Sequence, residues 1–490
     1  MELFEWVSPD QRRPEYASGW HRFSDVGNSY ISFTVRDMDA TLAHIRRHVL
    51  PRWPGTRLIQ DPPMQFPLRG EVCTSTFLVS PWGMWIELTH WSQASQHPAA
   101  SVVRAQAATA HPLVGQPLSA VPTPALVVDL DVVDFNVGLM AERMRAAGVQ
   151  WRPPVKAHKC PELTRYIGQR GGTQGIVVLT LAEAEAFVGA GADDIFLHNQ
   201  LATPAEWRRL AALNKRGARV RVCVDAAENV HDLAAAATAF GERASVEVLV
   251  EVNVGHNRCG VQPDQAAALA QVVRDEEQRT GGAVRFVGLT GYEGHTPVLP
   301  PAEKTAETRA CHAKLRQARE RVEACGIPVA VVTGGGSCNY VDALATGVLT
   351  EVQAGGGVLC DLLYYDKAGL RAHGHRLGGA LVMTTVTSAA ADGSRAMGDA
   401  GFKACGWHPF GGLPRPRDHP QLDVAGLSAE HTKLIPQPGT PCPRRGDRLL
   451  LHLGYTDAAG FLHRRVIAAR GDTIESVWPT VSDRAWGAAL

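Results

Sequence analysis

The stretch RVRVCVDAAENVHDLAAAATAFGERASVEVLVEVNV (219–254) decides the fold. Its two ends, RVRVCVD and VEVLVEVNV, are valine-rich apolar runs, which are typical of strands buried on both faces of a parallel sheet. The alanine-rich segment between them, AENVHDLAAAATAF (227–240), has the amphipathic pattern that predicts a helix. Strand, helix and strand in this order predict a unit whose two strands lie parallel in one sheet.

The same alternation of apolar runs and amphipathic segments continues on both sides of this stretch. With the two strands above, the further candidates bring the total to eight, which favours a (β/α)8 barrel over an open sheet. These further strand candidates are 149–156, 175–180, 194–199, 284–292, 329–336 and 348–353.

Composition divides the rest of the chain. Residues 92–121 are rich in Ala, Ser, Gln and Pro and lack sustained periodicity, which predicts a linker. Beyond the barrel, short alternating segments such as LVMTTVTS and RLLLHLGY predict strands. The predicted domains are a small α+β module (1–92), the linker (93–121), the barrel (122–368) and a β-rich C-terminal domain (369–490).

Charge and hydropathy restrict the class of partner. The 49 basic residues equal the 49 acidic ones, so no global field favours nucleic acid or an anionic membrane surface, and a small molecule is the expected partner. No stretch approaches the roughly 20 apolar residues that cross a bilayer. The first residues, MELFEWVSPDQRRPEY, lack the basic end and apolar run of a signal peptide. The ten cysteines are scattered without C-x-x-C spacing, so we expect a cytoplasmic protein with reduced thiols.

Two ends of predicted barrel strands carry unusual groups, at the edge where such barrels collect their reactive residues. Lys156 ends the first strand, and its amine either reaches the solvent at the rim or forms a Schiff base. At the end of the seventh strand, VVTGGGSCNY (331–340) offers backbone amides and a hydroxyl to an anion, although three glycines alone more often form a tight turn. A Schiff-base lysine and a phosphate site in one barrel are the combination that pyridoxal phosphate requires.

Several motifs between Gly115 and Trp478 carry a family resemblance. RPPVKAHKCPEL (152–163), EVNVGHNRCGV (251–261) and GYEGH (291–295), together with the glycine motif above, are similar to ordered motifs of the D-threonine aldolase and D-serine dehydratase family. That family has the fold-type III pyridoxal phosphate architecture, with the barrel of alanine racemase.

The resemblance implies a role for each matched residue. Lys156 would form the Schiff base with the cofactor and move the Cα proton. His158 and His295 would be acid–base candidates, or else structural hydrogen-bonding residues. The expected cofactor-binding residues are Lys156, Arg258 on the phenolic oxygen side, Tyr292 at the ring, and Gly334, Gly335, Gly336 and Ser337 at the phosphate.

The chain departs from the family in the segment LGYTDAA (453–459). Where members of the family carry a metal-binding histidine followed two residues later by a cysteine or aspartate, this chain has Tyr455 and Asp457. A phenol must lose its proton before it binds Zn²⁺ or Mn²⁺, so the usual divalent metal site is broken and Asp457 is left as a candidate ligand. His452 or His463 could substitute through a shifted loop, although their spacing to Asp457 is not that of the family. Since Cα proton exchange needs no metal, Tyr455 becomes a candidate acid–base group opposite Lys156.

Residues 19–91 resemble one βαβββ module of the glyoxalase-like, or vicinal oxygen chelate, superfamily. Glu87 matches the metal-binding carboxylate of that family, but Tyr30 lies where its first strand usually has histidine, which favours a structural or substrate-shielding role. A complete cup takes two such modules. Pairing with a second chain would supply the other one, in agreement with the homodimers of fold-type III enzymes.

These observations predict a pyridoxal phosphate-dependent lyase that acts on a D- or β-hydroxy amino acid by aldol cleavage or dehydration. Two alternatives stay open. One is an amino-acid racemase or epimerase that needs no metal, and the other is a protein that binds the cofactor or an amino acid without catalysis.

Overall fold

The computed structural model describes residues 38–51 and 111–481, apart from 241–243 and 298, and the backbones of the strands between residues 21 and 91. The chain divides into two compact units, Met1–Ala110 and His111–Leu490. Within the described residues, no helix has the length and apolar character needed to cross a membrane. The first 20 residues and positions 93–110 of the predicted linker lie outside the described part.

The first unit contains one sheet in the order β1-β2-β6-β5-β3, with β4 paired to β5. Tyr30 on β2 lies opposite Trp85, and Glu87 on the parallel strand β6 lies opposite Ser32, so the two positions are two register steps apart. The likeness to a glyoxalase-like module stays a prediction. The elements are β1 (His21–Asp25), β2 (Asn28–Thr34), α1 (Met38–His44) with a π-helical turn (Ile45–Val49), β3 (Arg57–Leu58), β4 (Met64–Leu68), β5 (Glu71–Val79) and β6 (Trp85–Trp91).

The second unit begins with β7 (Ala125–Asp129) and α2 (Leu130–Ala146), and then forms the predicted barrel. Eight parallel strands follow one another in the order β8-β15-β14-β13-β12-β11-β10-β9. A parallel bridge between Pro154 and Val177 closes the ring. The strands are β8 (Gln150–Trp151), β9 (Ile176–Val178), β10 (Asp194–Leu197), β11 (Arg219–Val224), β12 (Val246–Glu251), β13 (Val284–Thr290), β14 (Val331–Gly334) and β15 (Glu351–Val352).

Helices follow the barrel strands, and local sequence sets where they begin. Thr180 and Thr203 form capping boxes with Glu183 and Glu206, in which hydroxyl and carboxylate satisfy amides of the first turn. The eight predicted strands each contain an observed one, so the barrel is confirmed. The helices are α3 (Pro161–Gly171), α4 (Leu181–Gly189), α5 (Pro204–Lys215), α6 (Ala227–Ala239), α7 (Ala266–Arg279), α8 (Pro301–Ala324), α9 (Tyr340–Ala345) and α10 (Gly356–Leu359).

The C-terminal residues form a nine-stranded sheet, as the alternating segments predict. One strand of that sheet comes from before the barrel, since β7 pairs antiparallel with β16 and parallel with β22. Residues 122–368 therefore supply more than the barrel, although the domain boundaries themselves stay a prediction. The elements are β16 (Ala380–Ala389), β17 (Ala396–Gly398), α11 (Phe402–Cys405), β18 (Arg415–Pro416), β19 (Leu422–Leu427), β20 (Thr432–Pro436), β21 (Arg448–His452), α12 (Thr456–Ala459), β22 (Arg465–Arg470) and β23 (Thr473–Pro479).

Candidate active site

A pocket of about 520 Å³ of empty space, part of it open to solvent, lies at the carboxyl ends of the barrel strands. This is the edge at which such barrels place their chemistry. Five predicted residues meet there: Lys156, Arg258, Tyr292, Gly336 and Ser337. Its polar side chains are Lys156, His198, Arg258, Tyr292, Ser337, Gln353 and Tyr364.

Lys156 forms an ion pair with Asp457 of the C-terminal sheet domain. Its Nζ lies 2.6 Å from Asp457 Oδ2, and the two side chains are 32% and 11% exposed. The hydroxyl of Tyr455 donates to the same oxygen at 2.7 Å. The other oxygen, Asp457 Oδ1, is buried and has no hydrogen-bond partner among the described residues. The position that the sequence left as a lone metal candidate is therefore an acceptor beside the lysine.

Burial and the charge of Asp457 together shift the pKa values of Lys156 and Tyr455. Burial acts to lower the pKa of Lys156, but the carboxylate of Asp457, helped by Tyr292 and Tyr455, raises it well above its ordinary value. Burial, together with the charge of Asp457, raises the pKa of the Tyr455 phenol as well. In this arrangement the lysine is an ammonium ion and the tyrosine keeps its proton.

Arg152, four residues before the lysine, holds this segment in place. Its side chain is fully buried, with Nε 2.7 Å from Glu351 and Nη1 2.7 Å from Asp194. These ion pairs join the end of β8 to β15 and β10, inside the barrel. The arginine of the RPPVK motif is therefore explained as a positioning residue.

Asp361 brings the C-terminal segment to the pocket. Its carboxylate accepts the amides of Thr456 at 2.6 Å and Tyr364 at 3.0 Å, which fixes the start of α12 and hence Tyr455 and Asp457. Burial raises the pKa of Asp361 to about 7, although both amides act to lower it. No motif of the sequence pointed to this residue.

Two further polar residues of the pocket lie at strand ends. His198 stacks on Phe196 with ring centroids 4.9 Å apart, and its Nδ1 shares a hydrogen bond of 2.8 Å with Gln353 Oε1. Burial lowers the pKa of His198. Both positions end predicted strands, which is the signal that could have assigned them to the site. The Arg258 guanidinium carbon lies 5.6 Å from the centroid of the Tyr292 ring.

The predicted anion site has a different construction from the one expected. The amide of Gly335 donates to Glu293 Oε2 at 3.0 Å, and that of Gly336 donates to Asn339 Oδ1 at 2.9 Å, so these amides are already used. Of the glycine and serine residues that line the pocket, Ser337, Gly355 and Gly356 have amides without an acceptor among the described residues. Two strand ends, β14 and β15, therefore share the cradle, and the second lies in TEVQAGG (350–356).

Small residues keep this cradle open. A Cβ on Gly356 would lie 2.3 Å from Cε2 of Tyr364, and one on Gly336 would lie 3.1 Å from Cε2 of Tyr292. Free amides, an amine and space between two aromatic rings fit pyridoxal phosphate, which needs a phosphate cradle and a lysine.

The two predicted acid–base histidines lie in different surroundings. His158 is buried, its Nδ1 accepts the Cys160 amide at 3.0 Å, and burial lowers its pKa to about 4. His295 instead pairs with Glu307 of α8, Nε2 to Oε1 at 3.0 Å. Neither histidine is among the described residues that line the pocket. His158 is close enough to Asp457 for that carboxylate to act on its pKa, in the raising direction, and the acid–base role of each histidine stays a prediction.

The donors around Asp457 do not fit a divalent metal. Tyr455 donates its proton to the carboxylate, and Asp457 belongs to no cluster of three His, Cys, Asp or Glu donors in the described part of the chain. Borderline metals such as Zn²⁺ take three or four such ligands. We derive no step through a metal at this position.

Comparison with known proteins identifies relatives of this chain. The alanine racemase N-terminal domain profile matches residues 128–361. The chain is 31% identical to 3-hydroxy-D-aspartate aldolase of Paracoccus denitrificans, over 76% of this chain and 95% of that one. It is 34% identical to D-threonine aldolase of Arthrobacter sp, over 74% and 93%. The crystal structure of D-threonine aldolase from Filomicrobium marinum is similar with a TM-score of 0.71 at 29% identity, over 77% of this chain and 100% of the other.

Proposed function

Because this chain belongs to the family of pyridoxal phosphate-dependent lyases that includes D-threonine aldolase and 3-hydroxy-D-aspartate aldolase, we propose that it cleaves D-β-hydroxy amino acids by a retro-aldol reaction. One observation carries the proposal. Asp457 presents a buried oxygen without a partner on a carboxylate whose other oxygen lies 2.6 Å from Lys156. The products would be glycine and an aldehyde.

The residues of the pocket divide between cofactor and substrate. Lys156 would bind the cofactor covalently, the amides of Ser337, Gly355 and Gly356 would bind its phosphate, and Arg258 and Tyr292 would flank its ring. When bound, pyridoxal phosphate withdraws electrons from the bonds at Cα of an amino acid. The protein must then supply orientation and proton transfer.

Asp457 is the group best placed to accept the β-hydroxyl proton. Retro-aldol cleavage removes that proton as the Cα–Cβ bond breaks, and the glycine product gains a proton at Cα. Tyr455 holds Oδ2 of the carboxylate at 2.7 Å, which leaves Oδ1 as the acceptor. Dehydration would need a proton donor for the leaving hydroxide instead. The phenol of Tyr455 already directs its proton to Asp457, so cleavage is the better supported reaction.

A racemase or epimerase is the second candidate. The Tyr455 hydroxyl and the Lys156 amine both contact Asp457 Oδ2, at 2.7 and 2.6 Å. Two groups that could exchange a proton with Cα therefore lie close to each other. In that case Tyr455→Phe should abolish deuterium incorporation from D₂O on one face of Cα. Exchange at the wild-type rate in this variant would remove the racemase from consideration.

The homodimer and a cytoplasmic location belong to the same proposal. The nine described cysteines are all free thiols, which supports a reducing compartment. Exposed Trp407 and Phe410 lie in the segment beside Tyr455, where the ring of His408 is 4.9 Å from the tyrosine ring. Exposed aromatic groups of this kind commonly mark protein interfaces.

The test is incubation of the purified holoenzyme with D- and L-threonine and with both 3-hydroxyaspartate enantiomers in D₂O, with and without a metal chelator. Glycine plus aldehyde from the D-substrates, unchanged by chelator, is the expected result. Ammonia plus keto acid would show dehydration, and intact deuterated amino acid would show racemisation. Cofactor binding without any of these products would favour the non-catalytic alternative, and chelator-sensitive cleavage would contradict the role of Asp457 as sole proton acceptor.

A further inference from the structure

A cluster of His295, Glu307 and Cys311 lies where the loop after β13 meets α8. His295 Nε2 is 3.0 Å from Glu307 Oε1, Cys311 Sγ is 3.8 Å from His295 Nε2 and 3.7 Å from Glu307 Oε1. Glu307 and Cys311 are one helical turn apart, so α8 presents both toward the loop. We propose that these three residues form a zinc site, separate from the cofactor pocket.

The three distances match a tetrahedral zinc site. With Zn–N and Zn–O near 2.0–2.1 Å and Zn–S near 2.3 Å, tetrahedral geometry separates the N and O donors by about 3.3 Å and places sulfur about 3.6 Å from each. The observed values of 3.0, 3.8 and 3.7 Å lie within 0.3 Å of these separations. The donors therefore need only small shifts to enclose an ion.

The donor types favour zinc over magnesium or calcium. An imidazole, a thiolate and a carboxylate suit a borderline metal, whereas the hard cations prefer oxygen ligands alone. A thiolate and a carboxylate also neutralise the charge of Zn²⁺. The S–H bond of Cys311 breaks as the Zn–S bond forms, and the proton leaves to solvent.

The lack of a side chain at Gly255 leaves space beside the cluster for a fourth ligand. A Cβ there would lie 3.2 Å from His295 Cε1 and 3.4 Å from Glu307 Oε1. The neighbouring His256 has a buried Nδ1 without a partner in the described structure, and its ring is 6.0 Å from that of His295. Water or His256 would complete the site. The nearby Lys314 ammonium is held by the Val254 carbonyl at 2.9 Å.

The position of the site suggests what the ion does. His295 follows Tyr292, which lines the cofactor pocket, by three residues. Zinc would fasten this loop to α8 without touching the substrate, so we expect its removal to lower stability and to leave cleavage unchanged. The other described cluster, His198, Cys223 and Glu251, adjoins the cofactor pocket through His198, which lines it and bonds to Gln353.

The test is titration of metal-depleted holoenzyme with Co²⁺ and Zn²⁺ chlorides. We expect one equivalent of Co²⁺ to give the visible ligand-field bands of tetrahedral cobalt with a thiolate ligand, and Zn²⁺ to displace it. Cys311→Ser should remove the thiolate signature. Glu307→Gln, at a partly exposed position that tolerates substitution, should weaken the binding of Zn²⁺ at least about 10-fold, as measured by competition with a chromophoric chelator.

Two control variants separate this site from the rest of the chain. Cys325→Ser changes the exposed thiol at the end of the same helix, and Asp457→Asn removes the acid of the family's metal position. Both should bind Co²⁺ and Zn²⁺ as the wild type does. Absence of tetrahedral cobalt in the wild type, or full retention of zinc affinity in Glu307→Gln, would overturn the proposal. Loss of the cobalt signal in Asp457→Asn alone would show that the metal binds at Asp457 and not at the proposed cluster. None of these results depends on lyase activity.

Discussion

Lys156 at the end of the first barrel segment and Asp457 of the C-terminal domain form a contact of 2.6 Å between Nζ and Oδ2. The hydroxyl of Tyr455 donates to the same oxygen. Under the proposed function the amine binds the cofactor, the acid stands at the family's metal position and the phenol stands in place of the missing metal ligand. The proposed chemistry at this contact then uses protons of the chain itself.

Replacing the lysine tests the covalent link to the cofactor. We expect Lys156→Ala to lower turnover by about 10³-fold or more and to lose the yellow colour of the purified protein. Borohydride reduction followed by peptide mass analysis measures the link directly. Lys159→Ala is the matched control, since Lys159 pairs with Glu183. A cofactor-modified peptide from Lys156→Ala would contradict the assignment.

Removing the charge of Asp457 tests the proposed proton acceptor. Asp457→Asn keeps the size of the side chain but should reduce cleavage by about 10²–10⁴-fold, with the cofactor retained. Without the carboxylate, burial becomes the dominant influence and the pKa of Lys156 falls. Reconstitution of the cofactor-free variant should consequently reach its full rate at lower pH than in the wild type. An unchanged pH profile would show that the ion pair does not control the amine.

Adding a single methyl group at Gly356 tests whether the anion cradle binds the cofactor phosphate. In Gly356→Ala the new Cβ would lie 2.3 Å from the Tyr364 ring, so the cradle or the ring must move. We expect the Kd for pyridoxal phosphate to rise about 10-fold or more, measured by fluorescence titration. Gly138→Ala, where a Cβ meets nothing within 4 Å, should bind the cofactor as the wild type does. Equal affinities would place the phosphate elsewhere.

The buried histidine His375 predicts how the free energy of unfolding depends on pH at acid pH. His375 is held by the Gly357 carbonyl and the Tyr340 hydroxyl, and burial lowers its pKa to about 4, against about 6.5 in the unfolded chain. Between pH 6.5 and 4 the unfolded state therefore binds more protons, and the free energy of unfolding falls as the pH falls, on the order of 3 kcal/mol for this residue. Urea midpoints between pH 4 and 7 should vary less in His375→Asn.

The carboxyl group of Asp361 acts in the opposite direction over the same range. Its pKa of about 7 in the folded protein exceeds the value near 3.9 of an unfolded chain, so the stability that it lends at low pH is lost as the pH rises toward 7. The comparison of His375→Asn with the wild type cancels this contribution. Identical slopes for the two proteins would mean that the pKa of His375 is the same in the folded and unfolded states.

Exposed aromatic side chains test the dimer. Trp407 and Phe410 are 61% and 53% exposed, and burial of such groups would favour association. We expect the wild type to be a dimer by light scattering, and Trp407→Glu combined with Phe410→Lys to shift it toward monomer. Phe135→Glu changes an exposed aromatic of α2 and should leave the mass unchanged. A monomeric wild type would contradict the homodimer.

The barrel could be predicted from the sequence because its strands are buried on both faces and are written as apolar runs. The place of β7 could not, since Ala125–Asp129 has the same apolar pattern and only pairing with β16 and β22 assigns it to the other sheet. Lysine and glycine motifs located the pocket. They did not show that the amides of Gly335 and Gly336 are used by Glu293 and Asn339, because these bonds depend on side chains from other loops.

The contacts of His295 and Asp361 could not be predicted from the sequence for the same reason. His295 lies in a motif with Tyr292, yet its ring bonds Glu307 on a helix that begins several residues later. Asp361 has no motif, and its importance comes from the two amides that it accepts. Both results depend on contacts between distant segments, which local patterns do not contain.

The pairing of β7 has a consequence for how the protein is made. Ala125–Asp129 leaves the ribosome before any barrel strand, but its neighbours β16 and β22 are synthesised after the whole barrel. An apolar strand with two unpaired edges must therefore wait through most of translation, a state that invites aggregation or chaperone capture. A gene fragment that begins at the first barrel strand would also lack a central strand of the C-terminal sheet, so the two domains cannot be expressed apart by cutting the chain once.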